Sequence, residues 1–252
     1  YPEEYGPRLF ELLGWEGGRG VQRFEHTAMT EGAPVLSVRD LHFPALPPMT
    51  FDIRRGEIAF LRDENYNTGR RLHECFLGDR GWTSGFFRLN GRLYQPGDLG
   101  HVIGSEIGIQ IERPDRPGGV LFDNMTALDN LCTSLIPKAG QHIIRKKIVS
   151  SILSEALRWF PKEMLLQPLS SWSYPERLRF SYYRWYLLNP RLLICFFPFA
   201  GQESTHHKMI IDLLVLCAQR GMAVWIISSG IDAICKKTDN EEFLRRLHYL
   251  NK

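Results

Sequence analysis

Two stretches of the sequence are apolar almost without interruption, Leu192 to Phe197 and Ala223 to Ser228. A strand with one wet face alternates polar and apolar residues, whereas a strand covered on both faces does not, so these runs belong to a buried parallel sheet. Glu203 to Arg220, between them, carries helical periodicity, and Pro175 to Leu188 reads as a helix ahead of the first run. Helix alternating with buried strand makes the last third of the chain α/β.

The first half is built differently. Val35 to Leu41 and Met49 to Ile53 alternate apolar and polar residues, and a turn at Arg54-Arg55-Gly56 leads into the apolar run Ile58 to Leu61. This is a meander of short strands. From Gly69 to Leu77 the pattern turns helical, with Leu72, Phe76 and Leu77 on one face, and brief strands follow over 86–94. Residues 126–136 and 143–160 have a 3.6-residue repeat and predict helices, the first capped by Asn124 or Thr126. The expected organisation is an N-terminal arm over 1–33, a main domain over 34–239 with a helical subdomain at about 124–170, and a charged amphipathic helix over 240–252.

Composition narrows the function classes. Of 252 residues, 44% are hydrophobic and 23% charged, a globular mix that excludes a disordered chain. The net charge of +3 reflects 31 basic against 28 acidic residues spread along the sequence, too weak a footprint for nucleic acid. Five cysteines form no CxxC pair, and an odd number cannot all close into disulfides, so a reducing, cytoplasmic setting is expected. The most apolar stretch, 192–200, is far shorter than the roughly 20 residues of a bilayer span. No membrane insertion is expected, although the protein is able to lie against the inner face of a membrane. A start at Tyr1 rather than Met is expected of a piece of a longer polypeptide.

Several ordered strings together resemble the ATP-binding cassette, the nucleotide-binding domain of ABC transporters. Val38-Arg39-Asp40-Leu41 and Phe51-Asp52-Ile53-Arg54-Arg55-Gly56-Glu57-Ile58 look like the opening of a cassette. Gly108-Ile109, Asp115-Arg116 and Met125-Thr126-Ala127-Leu128-Asp129-Asn130-Leu131 resemble the glutamine-loop region and the start of the helical subdomain. Leu169-Ser170-Ser171 stands where the family has its signature, Asn189-Pro190 to Ile194 approaches Walker B, and Gly221 to Ser229 resembles the last core strand. The likeness is greatest to the second cassette of the tandem ATPases of bacterial simple-sugar importers of ribose and galactose type, and covers 34–239. It implies a parallel RecA-like core, an antiparallel β subdomain and a helical subdomain.

The chemistry at the family's motif positions departs from the pattern. A phosphate loop needs glycines, a lysine and a hydroxyl. Its glycine positions fall on Asp63, Tyr66 and Thr68, its lysine on Gly69 and its Ser/Thr pair on Arg70 and Arg71. Asp63 and Glu64 place negative charge near a polyphosphate, while Arg70 and Arg71 are candidates for gripping an anion at a helix start, against a plainer reading as solvated arginines. Phe196 and Phe197 stand at the Walker B carboxylates, and Ser170, Ser171 and Trp172 at the signature, with Trp172 expected to fill a partner's γ-phosphate space. Glu112 or Pro114 falls near the glutamine-loop position, with Glu112 weighed as a solvated carboxylate; Glu203 falls near the D-loop; His42 or Phe43 falls near the adenine-stacking position.

These departures predict an inactive cassette: a pseudo-ATPase with a degenerate phosphate loop, no catalytic residue, no metal site, and weak or absent ATP and magnesium binding. The expected role is a regulatory or scaffolding module linked to sugar import or its sensing. It would dock on an active cassette, a sugar-importer membrane subunit or a flanking domain of its own chain. Two alternatives stay open: an ATP-binding subunit pairing with an active cassette, and a non-hydrolysing sensor that holds a phosphorylated ligand through Arg70 and Arg71.

Overall fold

The computed structural model describes residues 32–78, 81–96, 106–112, 121–139, 146–200 and 204–250. Residues 1–31 of the N-terminal arm, Pro114, Asp115-Arg116 and Glu203 lie outside the described residues. The chain divides into two compact units, one holding the described residues of 120–177 and the other those of 28–119 and 178–252.

The larger unit holds both sheets. Five parallel strands run in the order β6 (Ile107–Ile111), β7 (Leu192–Phe196), β8 (Ala223–Ser228), β3 (Ile58–Arg62) and β9 (Leu247–Tyr249). Every residue of β7 and β8 is buried, as their unbroken apolar character requires. The antiparallel sheet is ordered β2 (Met49–Ile53), β1 (Leu36–His42), β4 (Ser84–Leu89) and β5 (Arg92–Tyr94). Gly85 of β4 has φ +88, and a Cβ there would lie 2.3 Å from the carbonyl oxygen of Asp40, so only glycine lets β4 approach the irregular end of β1.

Aromatic rings join the two sheets. Trp225 of β8 is fully buried, with its centroid 5.2 Å from Phe51 of β2 and 6.2 Å from Phe76 of helix α1 (Asn67–Phe76). Phe76 in turn meets Phe87 of β4 and Tyr94 of β5. Leu72, Cys75 and Phe76 line the buried face of α1. The opposite face of the parallel sheet is met by the later helix α6 (Ser204–Gln219), which packs on β8 and β3.

The smaller unit is helical, with α2 (Ala127–Ala139), α3 (Lys146–Ala156), the short α4 (Lys162–Leu165) and a 3₁₀ turn at Leu169–Ser171. Thr126 caps α2: its Oγ1 accepts from the Asp129 N–H at 3.1 Å and donates to the Asp129 carboxylate at 2.6 Å. Asn130 is a buried latch, accepting from the Phe122 N–H and donating to the carbonyls of Phe122 and Thr126. Helix α5 (Tyr174–Leu188) begins where the Glu176 carboxylate accepts from both the N–H and the hydroxyl of Ser173, at 2.8 and 2.6 Å.

The C-terminal segment differs from the single helix expected over 240–252. Asn240 caps α8 (Glu241–Arg246), which follows the short α7 (Ile231–Cys235), but the helix ends at Arg246 and the chain pairs with β3 as β9. Long-range bonds outweigh the local repeat here. Arg246 Nη1 donates to the Gly56 carbonyl at 2.7 Å, Leu250 N–H donates to the Phe60 carbonyl at 2.9 Å, and the Tyr249 ring lies against Phe60.

Trp225 Nε1 finds no hydrogen-bond partner among the described residues. Trp225→Ala therefore costs about 3–5 kcal/mol by cavity formation. Trp225→Phe costs less than about 1.5 kcal/mol, because it keeps much of the ring volume and removes an unsatisfied donor. Urea unfolding of the two variants checks the difference; equal losses would place the indole N–H in a bond the structure does not contain.

Candidate functional site

In open parallel sheets, ligands meet the carboxyl ends of the strands, and this edge carries most of the positions singled out in the sequence. Each strand hands its next residue to its neighbour by a backbone bond. Glu112 N–H donates to the Phe196 carbonyl, Phe197 N–H to Ile227, and Asp63 N–H to Ser228, at 3.1, 2.8 and 3.0 Å. The ladder itself thus brings residues 112, 197 and 63 to one edge.

Beyond β3 the chain turns through Tyr66, which has φ +57, and enters α1. The Asp63 carboxylate is 5% exposed and folds forward onto the helix start, accepting from the Gly69 N–H at 2.7 Å and the Thr68 N–H at 3.3 Å. These amides are among the donors that a helix leaves without internal partners. Sequence reasoning treated Asp63 only as a charge that repels polyphosphate; its structural partners are backbone donors.

Phe196 and Phe197, expected together at the strand end, separate. Phe196 completes β7, fully buried, with its ring 5.2 Å from His73 of α1. Phe197 has φ +54, an uncommon backbone state for a bulky residue, and leaves the strand. Its ring lies 4.9 Å from that of Tyr66 and directly against Gly69, where a Cβ would fall 2.5 Å from the Phe197 ring edge. Tyr66 Oη reaches Ser229 Oγ at 3.4 Å.

Arg70 and Arg71 turn toward Glu74 on their own helix, at 3.2 and 3.9 Å, with the Arg70 side chain 68% exposed. Glu112, expected as a solvated loop carboxylate, is instead 3% exposed and accepts from Gln110 Nε2 at 2.7 Å. Gln110 also donates to Ser181 Oγ and accepts from Trp185 Nε1 at 2.6 Å, a buried polar chain that sequence reasoning missed. Its only sequence signal was a polar residue inside the apolar run 107–111.

Other placements also move inward. Phe43, considered for adenine stacking, is 1% exposed and belongs to the core, while His42 bonds Thr83. In the helical unit, Ser170 and Ser171 are exposed, but Trp172 is buried against Phe160 at 5.5 Å rather than projecting from the signature turn. The Ser171 hydroxyl donates to the backbone carbonyl of Pro168 at 2.8 Å. Burial pushes the Cys217 thiol up to about 12 and holds Cys195 well above the ordinary thiol range, so neither offers a ready thiolate. No cluster of three or more His, Cys, Asp or Glu forms a metal site among the described residues.

No protein-family model matches the chain. It is 25% identical over 223 residues to a ribose/galactose/methyl galactoside import ATP-binding protein of Pseudomonas syringae pv. tomato, covering 87% of this chain and 42% of that protein. A galactofuranose transporter ATP-binding protein of Escherichia coli is 24% identical over 202 residues, covering 80% and 39%. Among solved structures, cbiO1 of Clostridium perfringens, part of an ABC transporter complex, has a TM-score of 0.66 at 20% identity over 86% of this chain and 85% of its own. The fold is that of an ABC ATP-binding domain. The neighbours in sequence and in structure are ABC transporter ATP-binding domains, and the chain spans about 42% of the length of the curated relative from Pseudomonas.

These matches correct the expectation of a non-enzyme with weak or absent ATP and magnesium binding. The relatives are named as ATP-binding proteins, across four-fifths or more of this chain, and the labels pseudo-ATPase and degenerate phosphate loop do not stand against them. The amides of Thr68 and Gly69 already hold a carboxylate, so the cassette's cradle fits an anionic oxygen such as that of a phosphate. The side chains of Phe196 and Phe197 supply no oxygen ligand for a hard cation.

The Gly69–Phe197 contact is open to a double-mutant test. Gly69→Ala costs about 1–3 kcal/mol by overpacking, despite the better helix propensity of alanine. In a Phe197→Leu background, which removes the ring edge, the same change costs less, with only the Ile227 methyl at 3.0 Å still to give way. Equal effects of Gly69→Ala in both backgrounds, measured by thermal unfolding, would remove Phe197 from the account.

Proposed function

We propose that the chain is an ATP-binding module of a sugar-importing ABC transporter, pairing with a second cassette and working with a membrane-spanning partner at the cytoplasmic face. One observation carries this reading, the match to a ribose/galactose/methyl galactoside import ATP-binding protein along 87% of the chain. The fold supports it, since a cassette bound to ADP and phosphate has a TM-score of 0.60 to this chain at 17% identity, covering 86% of this chain and 94% of its own. No described helix is long and apolar enough to cross a membrane, so transport in this reading requires a membrane-spanning partner.

In this proposal the cassette occupies residues 34–239, with its helical subdomain at about 124–170. The phosphate-loop positions are Asp63, Tyr66, Thr68, Gly69, Arg70 and Arg71, and Ser170 to Trp172 are the signature positions. The nucleotide's phosphates meet the backbone N–H groups at the start of α1, where the helix dipole favours negative charge. Anion binding there rests on amides, and on Arg70 or Arg71 only if either leaves Glu74. The second cassette supplies the remaining side of a shared nucleotide site.

Calorimetry with Mg-ATP, ADP and metal-free ATP, with melting curves in parallel, tests the reading. Saturable binding is expected, and a hundredfold excess over the dissociation constant raises stability by roughly 2.7 kcal/mol. Absence of both heat and melting shift up to millimolar nucleotide would sink it.

A further inference from the structure

Asp63 stands out because its carboxylate is buried on the donors that a cassette offers to phosphate. It is 5% exposed, and it accepts from the Gly69 and Thr68 amides at 2.7 and 3.3 Å. The packing around it holds this arrangement from both sides. Asp63 N–H is fixed to the Ser228 carbonyl at 3.0 Å, tying the residue to the end of β8. Gly69, which donates the shorter bond, is pressed by the Phe197 ring, and Phe197 and Tyr66 meet ring to ring, each in a left-handed backbone state. Bulky residues keep such conformations only where surrounding contacts over-determine them, so the loop is held in a specific closed form.

We propose that the Asp63 carboxylate is a built-in occupant of the phosphate-binding amides, an autoinhibitory contact that an entering polyphosphate must displace. The proposal rests on the nucleotide-binding reading above for its ligand. Two charged groups cannot share the same pair of N–H donors, and a carboxylate left beside a polyphosphate repels it. Binding of the polyphosphate and release of Asp63 are therefore one coupled event. Coupling of this kind is read as an affinity ratio between the chain with and without the carboxylate.

The test uses the 252-residue chain as wild type, Asp63→Asn and Asp63→Ala, titrated with tripolyphosphate at constant ionic strength, and in parallel with Mg-ATP. Asp63→Asn keeps an oxygen acceptor for the helix and removes the charge. Asp63→Ala removes both. Asp239→Asn, an exposed carboxylate paired with Lys208, controls for net charge alone. Both Asp63 variants are expected to bind tripolyphosphate at least ~5-fold more tightly than wild type, with the control unchanged. Equal affinity in all four proteins, tightening in the control as well, or no tripolyphosphate binding in any of them overturns the proposal.

If the Asp63 variants do not fold, carboxyl-carbon NMR of the wild type decides. A shift of the Asp63 carboxyl together with the Gly69 amide on tripolyphosphate saturation supports displacement, and an Asp63 signal that stays put while Gly69 moves overturns it. Failure of Mg-ATP to bind any of the proteins, alongside the expected tripolyphosphate pattern, would sink the nucleotide reading and leave the Asp63 contact standing.

Discussion

Two-sided burial of β7 and β8 is the constraint on which the rest of the molecule depends. All eleven of their residues are buried, so each backbone group must be satisfied within the sheet and each face must be covered by something apolar. On one face the cover is α1 with the antiparallel sheet, joined through Trp225, Phe51, Phe76 and Phe87. Helix α6 packs on the other. The parallel register carries each strand one residue further at its carboxyl end, which is how Glu112, Phe197 and Asp63 come to one edge without any contact designed between their side chains. Position at the site is thus a consequence of sheet geometry.

Elements with a strong period were legible. The apolar runs, the alternation in β1 and β2, and the 3.6-residue repeats of α1, α2, α3 and α5 all depend on burial patterns that one sequence displays locally. Two strands were not legible for the opposite reason. Ile107–Ile111 is a short run interrupted by Gly108 and Gln110, and its strand character comes from pairing with β7, more than eighty residues away. Leu247–Tyr249 followed a helical pattern in sequence, yet the bond from Arg246 to Gly56 and the register with Ile58 pull it into the sheet. Local periodicity has no term for a partner at that distance.

The site was legible in position more than in conformation. Sequence spacing put Phe196 and Phe197 at the strand end, and they are there, but only a three-dimensional arrangement turns one inward and the other into a left-handed bend against Gly69. Trp172 was expected to fill a partner's γ-phosphate space, and Phe43 was weighed as an adenine-stacking ring against plain packing at a strand edge. Burial was the stronger pull, and both rings joined cores. Glu112 moved the same way because a buried Gln110 amide waited for it, compensating part of the cost of hiding a carboxylate.

The expectation of lost nucleotide chemistry failed at an instructive step. It summed side chains: no lysine, no glycines at three loop positions, phenylalanines for carboxylates. A helix start, however, holds anions largely through backbone N–H groups and the helix dipole, and neither depends on side-chain identity. Asp63 makes that visible, since its carboxylate finds two such donors in a chain whose loop composition seemed hostile to anions. In the nucleotide-binding proposal, an aspartate at a loop-glycine position leaves these backbone donors in place and adds an internal competitor for them. Whether a substitution at a motif position removes a function or places it under control turns on which atoms bind the ligand, and in that proposal the binding atoms belong to the main chain.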